Sequence, residues 1–431
     1  MSQVLRCLLF IFGLSIILIQ ESQTLADLSQ PLAFIQANQL SLSSQIEQAR
    51  TGTLIIHVVN SHQQSVPHLE VKLEQVTHEF EFGTALSTHV FAPDANPSEQ
   101  AQYFKLAQQL FNASVHENAL KWDNTEPQRG QVSYIDADRI LDWSEANSLP
   151  LRGHNLFWEV EKWNAPWLKN LSEDELRQAI VQRATEVCSR YRGRIHEYDV
   201  LNEMLHGNFF RSRLGEEIVK IMFQSCQANN PTATLYVNDY NILNGYRLND
   251  YVHQIRSLLD QGVPVGGIGI QAHILDEEIT PAQIQKSLST LAQFNLPIKI
   301  TEFSALAKTE QEQAKILLDI YQTAFAHPAV KGILMWGFWE KAHWVPQAAI
   351  FDDKFQPKLA AKVYQELVLN QWWTPRSQGT TNLQGKFSTR AFFGNYQVTL
   401  KGKNWCKTHS FSLSSLGTQP HTITLTISEE E

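Results

Sequence analysis

Two glutamates stand near the ends of apolar stretches and could carry acid–base or nucleophilic chemistry. Glu203 ends the apolar run 195–203, and Glu302 lies near the end of the run 298–303. Paired carboxylates beside indole rings suit the hydrolysis of a glycosidic bond, because one group protonates the leaving oxygen, the other attacks or activates water, and indoles stack on sugar faces. Either glutamate alone would more often be an ion-pair partner, whereas the pair favours hydrolytic chemistry.

Polar and aromatic residues also lie towards the ends of the apolar runs in the middle of the chain, or just beyond them. They are His116, Glu117, Asn118, Lys121 and Trp122; Arg152, His154, Asn155 and Trp158; Asn202; Asn238, Asp239, Tyr240 and Asn241; Gln271 and His273; Thr301; and Trp336, with Trp344 beyond it. If the runs are parallel strands of one sheet, these side chains meet at its carboxyl edge.

The elements that must position these residues alternate between short apolar runs and stretches with helical spacing. We predict eight strands, at 82–86, 111–118, 151–158, 195–203, 235–241, 268–274, 298–303 and 333–339. Helical patterns lie at 98–110, 172–191, 246–261, 281–294 and 310–325. Eight strand-then-helix units predict an α/β fold of the (β/α)8 TIM barrel type. Glu203 and Glu302 end strands three places apart, so they would face each other across the central cavity.

Other kinds of catalytic site fit the sequence less well. His154, His206 and His273 could indicate a metal site, but a barrel metallohydrolase usually carries an HxH pair on its first strand, and the run 82–86 offers no ligands. No GxSxG motif supports a serine nucleophile, and no GxGxxG follows a strand to bind a dinucleotide. We therefore expect neither a metal nor a cofactor.

Composition excludes several classes of protein and partner. The chain has 431 residues, of which 43% are hydrophobic and 18% charged, as in a globular protein with a large core. The formal charge of -9 disfavours a nucleic-acid partner, since such binding depends on basic residues. We expect a monomer with no nucleic-acid and no stable membrane partner. The sequence leaves open whether Cys188 and Cys226 form a disulfide.

The N-terminal segment has the features of a secretory signal peptide. Arg6 precedes an apolar run at 7–19, which is shorter than the about 20 residues of a membrane span but suits a signal-peptide core. Small residues at Thr24 and Ala26 predict cleavage after residue 26. We therefore expect a signal peptide at 1–26 and a secreted, periplasmic or extracellular protein, with an uncleaved anchor as the alternative.

Short β patterns flank the predicted barrel, which we place at residues 81–372. Alternation at 53–59 and 69–76 predicts strands in an N-terminal accessory segment, 27–80, and similar patterns recur in a C-terminal segment, 380–429. We expect these segments to pack together or against the barrel as one accessory unit. An independent carbohydrate-binding module is the alternative.

The motifs around these residues resemble those of glycoside hydrolase family 10, the endo-β-1,4-xylanase family. The similar motifs, in chain order, are EN-x-x-KW at 117–122, RGHNLFW at 152–158, DVLNE at 199–203, NDYN, GIGIQAH, ITEF and WGFW. The resemblance covers residues 82–369, about two-thirds of the chain. It implies cleavage of internal bonds in xylan or arabinoxylan by retaining double displacement, with Glu203 as acid/base and Glu302 as nucleophile. Their carboxyl groups should then lie about 5 Å apart.

The resemblance also implies roles for other residues. Asn202 would hold the 2-hydroxyl of the sugar next to the scissile bond, and His273 would hydrogen-bond Glu302. The remaining substrate-binding residues would be Glu117, Asn118 and Lys121 at the non-reducing-side sugar site; His154, Trp158, Gln271, Trp336 and Trp344 around the reacting sugar; Tyr240 towards the leaving group; and Asn238. Bulky Trp336 and Trp344 would exclude the hydroxymethyl group that xylose lacks.

Two departures from the family pattern bear on activity. Residues 159–166 replace the usual His, spacer, Gln and Pro, and Ser304 replaces the Asp that commonly supports the histidine matching His273, which should shift the pH optimum. The segment 383–400 and the altered loop resemble plant-type members. The departures leave two alternatives open: a glycan-binding barrel with weakened catalysis, or a retaining β-glycanase that acts on another β-1,4 or mixed-linkage glycan.

Overall fold

The computed structural model describes residues 33–36, 42–416 and 420–427. The described residues divide into two compact units, one formed by Glu81–Lys362 and the other by those before residue 81 together with those after residue 362. The predicted signal peptide, residues 1–26, lies outside the described residues. Within the described part of the chain, no helix is both long and apolar enough to cross a membrane.

Strands and α-helices are numbered in chain order. The strands are β1 Thr51–Val59, β2 Glu70–His78, β3 Glu81–Leu86, β4 Ala113–His116, β5 Leu151–Arg152, β6 Phe157–Trp158, β7 Glu197–Asn202, β8 Thr234–Asp239, β9 Gly267–Ile270, β10 His273–Leu275, β11 Ile298–Leu306, β12 Val330–Met335, β13 Ser377–Thr380, β14 Lys386–Phe392, β15 Gly394–Lys401, β16 Cys406–Leu413 and β17 His421–Thr426. The helices are α1 Ser43–Arg50, α2 Pro97–Leu110, α3 Trp122–Thr125, α4 Ile135–Ala146, α5 Glu173–Arg190, α6 Arg211–Leu214, α7 Glu217–Asn229, α8 Leu248–Asp260, α9 Pro281–Ala292, α10 Glu310–Ala326 and α11 Leu359–Gln365. Single 3-10 turns occupy Glu161–Trp163, Pro166–Asn170, Glu340–Ala342 and Pro346–Ala348, and a π turn occupies Glu366–Gln371.

The larger unit contains a parallel sheet built from the central apolar runs. Its strands are hydrogen-bonded in the order β5, β4, β3, β12, β11, β9, β8, β7 and β6, with β10 beside β11. Nearly every residue of β4, β7, β8, β9 and β11 is buried, as expected for strands covered on both faces. The predicted (β/α)8 barrel is confirmed.

The sheet returns on itself through the segment 151–158. Its two ends, β5 and β6, belong to this one segment, and Gly153 and Leu156 between them hydrogen-bond to β7. Gly153 N donates to Glu197 O, Asp199 N donates to Gly153 O and Leu156 N donates to Asp199 O, each at 3.0 Å. A side chain at residue 153 would collide with the Tyr198 ring, whose Cδ1 lies 2.4 Å from the Cβ position. Glycine therefore permits the close approach that closes the barrel.

Two of the predicted strands are interrupted in the structure. The run 151–158 is split into β5 and β6, and the run 268–274 into β9 and β10. In the second run Ala272 has a φ of 61°, in the left-handed region, which ends the extended conformation before His273. An apolar run shows a buried segment but does not show such a local break.

The five helices that the sequence predicted, α2, α5, α8, α9 and α10, begin and end close to their predicted bounds. Thr280 caps α9 in a reciprocal capping box with Gln283, and Pro281 occupies the first turn. Ser172 caps α5 in the same way, through Glu175. A disulfide joins Cys188 of α5 to Cys226 of α7, with their Cα atoms 5.3 Å apart.

The smaller unit consists of two β-sheets that share one apolar core. One sheet has the order β14, β1, β17 and the other the order β13, β2, β15, β16. Alternate residues of each strand point inward, so that Leu54 and Ile56 of β1 belong to the same buried cluster as Val71 of β2 and Val398 of β15. The β patterns before and after the barrel therefore pair with each other.

Candidate active site

Glu203 and Glu302 are both buried at the carboxyl end of the barrel strands. Glu203 directly follows β7 and has a φ of 59°, which turns its side chain out of the strand's alternation. This left-handed conformation is strained for a residue with a side chain and is held by a hydrogen bond from its N–H to Asn238 O, at 2.9 Å. Glu302 lies within β11, and its side chain is 5% exposed.

Neutral amides connect the two carboxylates. Gln271 Nε2 donates to Glu203 Oε1 at 2.9 Å. Asn238 Nδ2 lies 2.7 Å from Glu302 Oε1 and 2.9 Å from Asn202 Oδ1, while its own Oδ1 accepts from the Thr301 hydroxyl at 2.6 Å. Because the amide oxygen of Asn202 is thus engaged, its Nδ2 points towards Glu203, at 3.4 Å from Oε1. The structure brings all of these groups into one hydrogen-bonded cluster.

The environment separates the pKa values of the two carboxyl groups. Burial raises the pKa of Glu203, the Glu302 charge adds to this, and the hydrogen bond from Gln271 offsets it only in part. Burial also acts to raise the pKa of Glu302, but His154 and the hydrogen bond from His273 outweigh it, so this pKa is lowered. Two carboxyls whose pKa values are pushed apart can serve as acid and as nucleophile.

His273 links Glu302 to the wall of the cleft. Its Nε2 lies 3.2 Å from Glu302 Oε2, and its Nδ1 lies 3.2 Å from Ser304 Oγ. Trp344 Nε1 donates to the same hydroxyl at 3.3 Å, and the Trp344 ring packs edge-on against His273 with centroids 4.8 Å apart. Trp336 also stands edge-on to His273, with centroids 6.4 Å apart. Ser304 therefore occupies the position beside the imidazole, with a neutral hydroxyl.

A buried ion network underlies His154. Asp199 Oδ2 accepts from His154 Nδ1 at 3.0 Å and from Arg152 Nε at 2.9 Å, and Arg152 Nη2 bonds the other oxygen at 2.6 Å. Arg152 Nη1 continues to Glu197 Oε2 at 2.9 Å, and Glu197 pairs with Lys299. His154 is 1% exposed, it stands edge-on to the ring of Trp336, and its Nδ1 lies 3.9 Å from Glu302 Oε1. The network thus orients a histidine next to Glu302.

The roles of four residues in this network were not predicted from the sequence: Asp199, Glu197 and Lys299, and Arg152, which was expected only to reach the carboxyl edge of the sheet. Their charges interrupt apolar strands that are otherwise buried on both faces, and this interruption is the feature that could have found them. Which charge pairs with which depends on strands far apart in sequence, so the pairing itself is not readable from the chain.

Tyr240 and His206 form a second edge of the site. Their rings stack with centroids 3.5 Å apart and planes 13° apart. Asp239 holds this edge, because its Oδ1 lies 2.7 Å from His206 Nδ1 and its Oδ2 accepts from Leu205 N at 2.8 Å. Asp239 therefore fixes the loop that follows Glu203, a function that the sequence analysis did not assign.

Lys121 and its neighbours form another part of the cleft. Lys121 Nζ donates to Asn118 Oδ1 at 2.7 Å and lies 4.7 Å from the ring centroid of Trp158 and 5.9 Å from that of Trp336. Burial lowers the pKa of Lys121, and the carboxylates of Glu302 and Glu117 offset part of this effect. Glu117 Oε2 is buried without a hydrogen-bond partner among the described residues, so it can accept from a ligand hydroxyl.

The altered segment after Trp158 is tied to the loop that follows Glu203. The buried carboxylate of Glu159 accepts from Arg211 Nε at 2.8 Å and from Phe210 N at 3.0 Å. Arg211 also donates to the carbonyls of Met204 and Gly207, at 2.6 and 2.7 Å.

Among the described residues, no group of three or more His, Cys, Asp or Glu side chains is arranged to hold a metal ion.

Comparison with known proteins connects this geometry to a family. Residues 72–367 match the family model described as Glycosyl hydrolase family 10. The chain belongs to glycosyl hydrolase family 10. This family 10 chain is 33% identical over 361 residues to endo-1,4-beta-xylanase 1 of Arabidopsis thaliana, with 83% of the chain and 37% of that protein covered. It is also 36% identical over 366 residues to the anti-sigma-I factor RsgI6 of Acetivibrio thermocellus, with 84% of the chain and 47% of that protein covered.

Solved structures include relatives of this family 10 chain. Native xylanase 10B from Thermotoga maritima superposes with a TM-score of 0.63 at 26% sequence identity, over 68% of this chain and 96% of that one. The chain spans less than half the length of the two curated relatives named above.

Proposed function

We propose that this family 10 chain is a retaining endo-β-1,4-xylanase that cleaves internal bonds of xylan or arabinoxylan without a cofactor. The observation that carries this proposal is the cluster of Glu203, Gln271, Asn202, Asn238 and Glu302, in which one carboxyl is held towards its protonated form and the other towards its ionised form. The names of the similar Arabidopsis and Thermotoga proteins support xylan as the substrate.

The reaction runs in two displacements. The ionised Glu302 attacks the anomeric carbon and forms a glycosyl ester, while Glu203 gives its proton to the leaving glycosidic oxygen. Glu203, now ionised, takes a proton from water, whose oxygen attacks the anomeric carbon and releases Glu302 as a carboxylate. The sugar ends with the configuration it began with, and both glutamates return to their first protonation states.

The surrounding groups suit this sequence of steps. Asn238 and His273 hydrogen-bond different oxygens of Glu302, so they fix the carboxylate for attack. Asn202 Nδ2 directs one hydrogen towards Glu203 Oε1, at 3.4 Å, and its second hydrogen can bind a sugar hydroxyl. Trp336 and Trp344 both border His273, where their bulk would disfavour a hydroxymethyl substituent. Selectivity for a pentose would then come from steric exclusion.

We also propose that the protein is exported. The apolar segment 7–19 behind Arg6 supports this, as does the disulfide between Cys188 and Cys226, since disulfides persist in oxidising compartments. Recovery of the protein outside the cytoplasm with residue 27 at its N-terminus would agree with the proposal, and recovery with residue 1 intact in the cytoplasm would contradict it.

The activity is tested by reducing-sugar release from soluble arabinoxylan. The chain without residues 1–26 should release reducing sugar, and its Glu302→Gln variant should not. Faster release from mixed-linkage glucan than from arabinoxylan would contradict the xylanase proposal. Binding of xylan with no release would instead indicate a glycan-binding barrel with weakened catalysis.

A further inference from the structure

The segment that replaces the usual family loop carries a half-exposed tryptophan. Trp163 ends the 3-10 turn Glu161–Trp163 and is 45% exposed. Its ring stacks on that of Trp158, with centroids 5.3 Å apart and planes 20° apart. Lys162 Nζ lies 4.7 Å from the Trp163 ring centroid. An exposed indole with a cation beside it offers both an apolar face and a hydrogen-bond donor.

The backbone holds Trp163 in this position. Asn164 is 8% exposed, and its Nδ2 donates to Trp158 O at 2.7 Å and to Val160 O at 3.1 Å. Trp163 N donates to Val160 O at 3.1 Å. These bonds close the turn back onto Trp158, so the indole of Trp163 is fixed before any ligand arrives.

Trp163 extends a row of groups that begins in the catalytic cleft. Lys121 Nζ lies between the rings of Trp336 and Trp158, and Trp163 stacks on Trp158. Trp158 pairs with Asn202, the residue before Glu203. Trp344, which is 50% exposed, donates to Ser304 Oγ, and Ser304 in turn contacts His273, the neighbour of Glu302. One half-exposed indole is therefore associated with each of the two catalytic glutamates.

We propose that Trp163 is a sugar-stacking platform that forms an additional subsite, binding one pyranose ring of a β-1,4-linked chain that extends beyond the reacting sugar. The carbon–hydrogen face of such a ring covers the indole once the Lys162 side chain, which now lies over that ring, swings aside to donate to the sugar hydroxyls. This inference rests on the proposed function, because it takes the occupant to be the same glycan that Glu203 and Glu302 cleave. Continuity of Trp163 with Trp158 and Lys121 points to that occupant.

The test compares oligosaccharides of increasing length, from xylobiose to xylohexaose, with the full chain. Trp163→Ala should lower kcat/KM about tenfold for the longer oligosaccharides, because one stacking contact of about 1.4 kcal/mol is lost, and should leave the shortest cleaved substrate unchanged. Trp163→Tyr should keep most of the activity on long substrates, since it retains a flat aromatic face. Ile135→Ala, which truncates a 64% exposed side chain on α4, is the matched control. It should leave kcat/KM unchanged for long and for short oligosaccharides.

Two kinetic outcomes would overturn the inference. An equal loss at every length would show that Trp163 only braces Trp158, and no loss at any length would show that the face is unused. Calorimetry should also measure the affinity of the same oligosaccharides for Glu302→Gln, with and without Trp163→Ala. This measurement separates a failure of the subsite inference from a failure of the proposed function. A length-dependent loss of affinity supports the subsite even if the wild-type chain does not hydrolyse xylan, whereas no binding of any oligosaccharide overturns it.

Discussion

His273 and Ser304 face each other across the paired strands β10 and β11, with Nδ1 and Oγ 3.2 Å apart. The Glu302 carboxylate can only accept, so the imidazole must donate to it from Nε2, and in the neutral ring Nδ1 can then accept the hydrogen of Ser304, whose Oγ accepts from the Trp344 N–H. His273 then carries its proton on Nε2 and donates it to Glu302 Oε2. The hydroxyl therefore supports, by donating to Nδ1, the tautomer that hydrogen-bonds the nucleophile.

Removing this hydroxyl should weaken catalysis without unfolding the barrel. We expect Ser304→Ala to lower kcat/KM roughly fivefold, because a net hydrogen bond of about 1 kcal/mol that orients His273 is lost. Ser304→Thr keeps the hydroxyl and should restore most of the activity. Nitrogen chemical shifts of the His273 ring would report the tautomer directly, and a proton on Nδ1 in the wild type would contradict the assignment.

The dependence of kcat/KM on pH should be bell-shaped and wide. Because the pKa of Glu302 is lowered, the acidic limb should lie below the usual range of a glutamate, and because the pKa of Glu203 is raised, the alkaline limb should lie above it. With an activated aryl glycoside, which needs no acid, Glu203→Ala should lose the alkaline limb of the first displacement and keep the acidic one. Retention of the alkaline limb would assign it to another group.

The two glutamates should respond differently to azide. We expect Glu302→Ala to be inactive and azide to restore turnover by direct attack, giving a glycosyl azide of inverted configuration. Glu203→Ala should still form the glycosyl ester with good leaving groups, so azide should then give a product of retained configuration. The configuration of each product, read by proton NMR, checks the assignment, and an exchange of the two outcomes would reverse the roles.

Asp199 should make the folding stability of the protein depend on pH in the acid range. Burial acts to raise its pKa, but Arg152 and His154 outweigh this and lower it to about 2, below the value of about 3.9 in an unfolded chain. Its stabilisation is therefore complete above about pH 4 and is lost as the pH falls towards 2. Thermal unfolding followed across this window should show the loss. The stability of Asp199→Asn should depend less on pH in this window. At neutral pH this variant should be less stable by up to about 3 to 5 kcal/mol, because Arg152 loses its two bonds to Asp199 and keeps only Glu197 as a carboxylate partner.

An exposed ion pair is the control for this prediction. Lys341 and Glu99 are 2.6 Å apart, with side chains 46% and 35% exposed. Glu99→Gln should change the unfolding temperature little, since exposed pairs contribute about 0 to 1 kcal/mol. If Glu99→Gln lost as much stability as Asp199→Asn, burial would not decide how much stability the loss of an ion pair costs.

The disulfide between Cys188 and Cys226 should stabilise the barrel unit. It closes a loop between residues 38 apart, for which chain entropy predicts a contribution of about 4 kcal/mol. The double replacement Cys188→Ser and Cys226→Ser should lower the unfolding temperature without changing kcat/KM for a short substrate. An unchanged unfolding temperature would show that strain or residual structure cancels the effect.

Much of the barrel was predictable because its signals are local. Apolar runs marked the strands, and capping residues such as Ser172 and Thr280 marked the beginnings of α5 and α9. The breaks at Gly153 and Ala272 were not predicted, because each depends on backbone conformation and on contacts with a neighbouring strand rather than on hydrophobic periodicity.

The sequence by itself determined which residue types reach the catalytic face, since Glu203 directly follows β7 and Glu302 lies in β11 of one parallel barrel. Only the tertiary structure decided how they are held there. That Asn238 hydrogen-bonds Glu302, that Asp199 pairs with Arg152 and that Ser304 contacts His273 depend on the register between strands far apart in the chain. Spacing along a sequence records the local period of a strand, whereas hydrogen-bond partners are set by packing between strands.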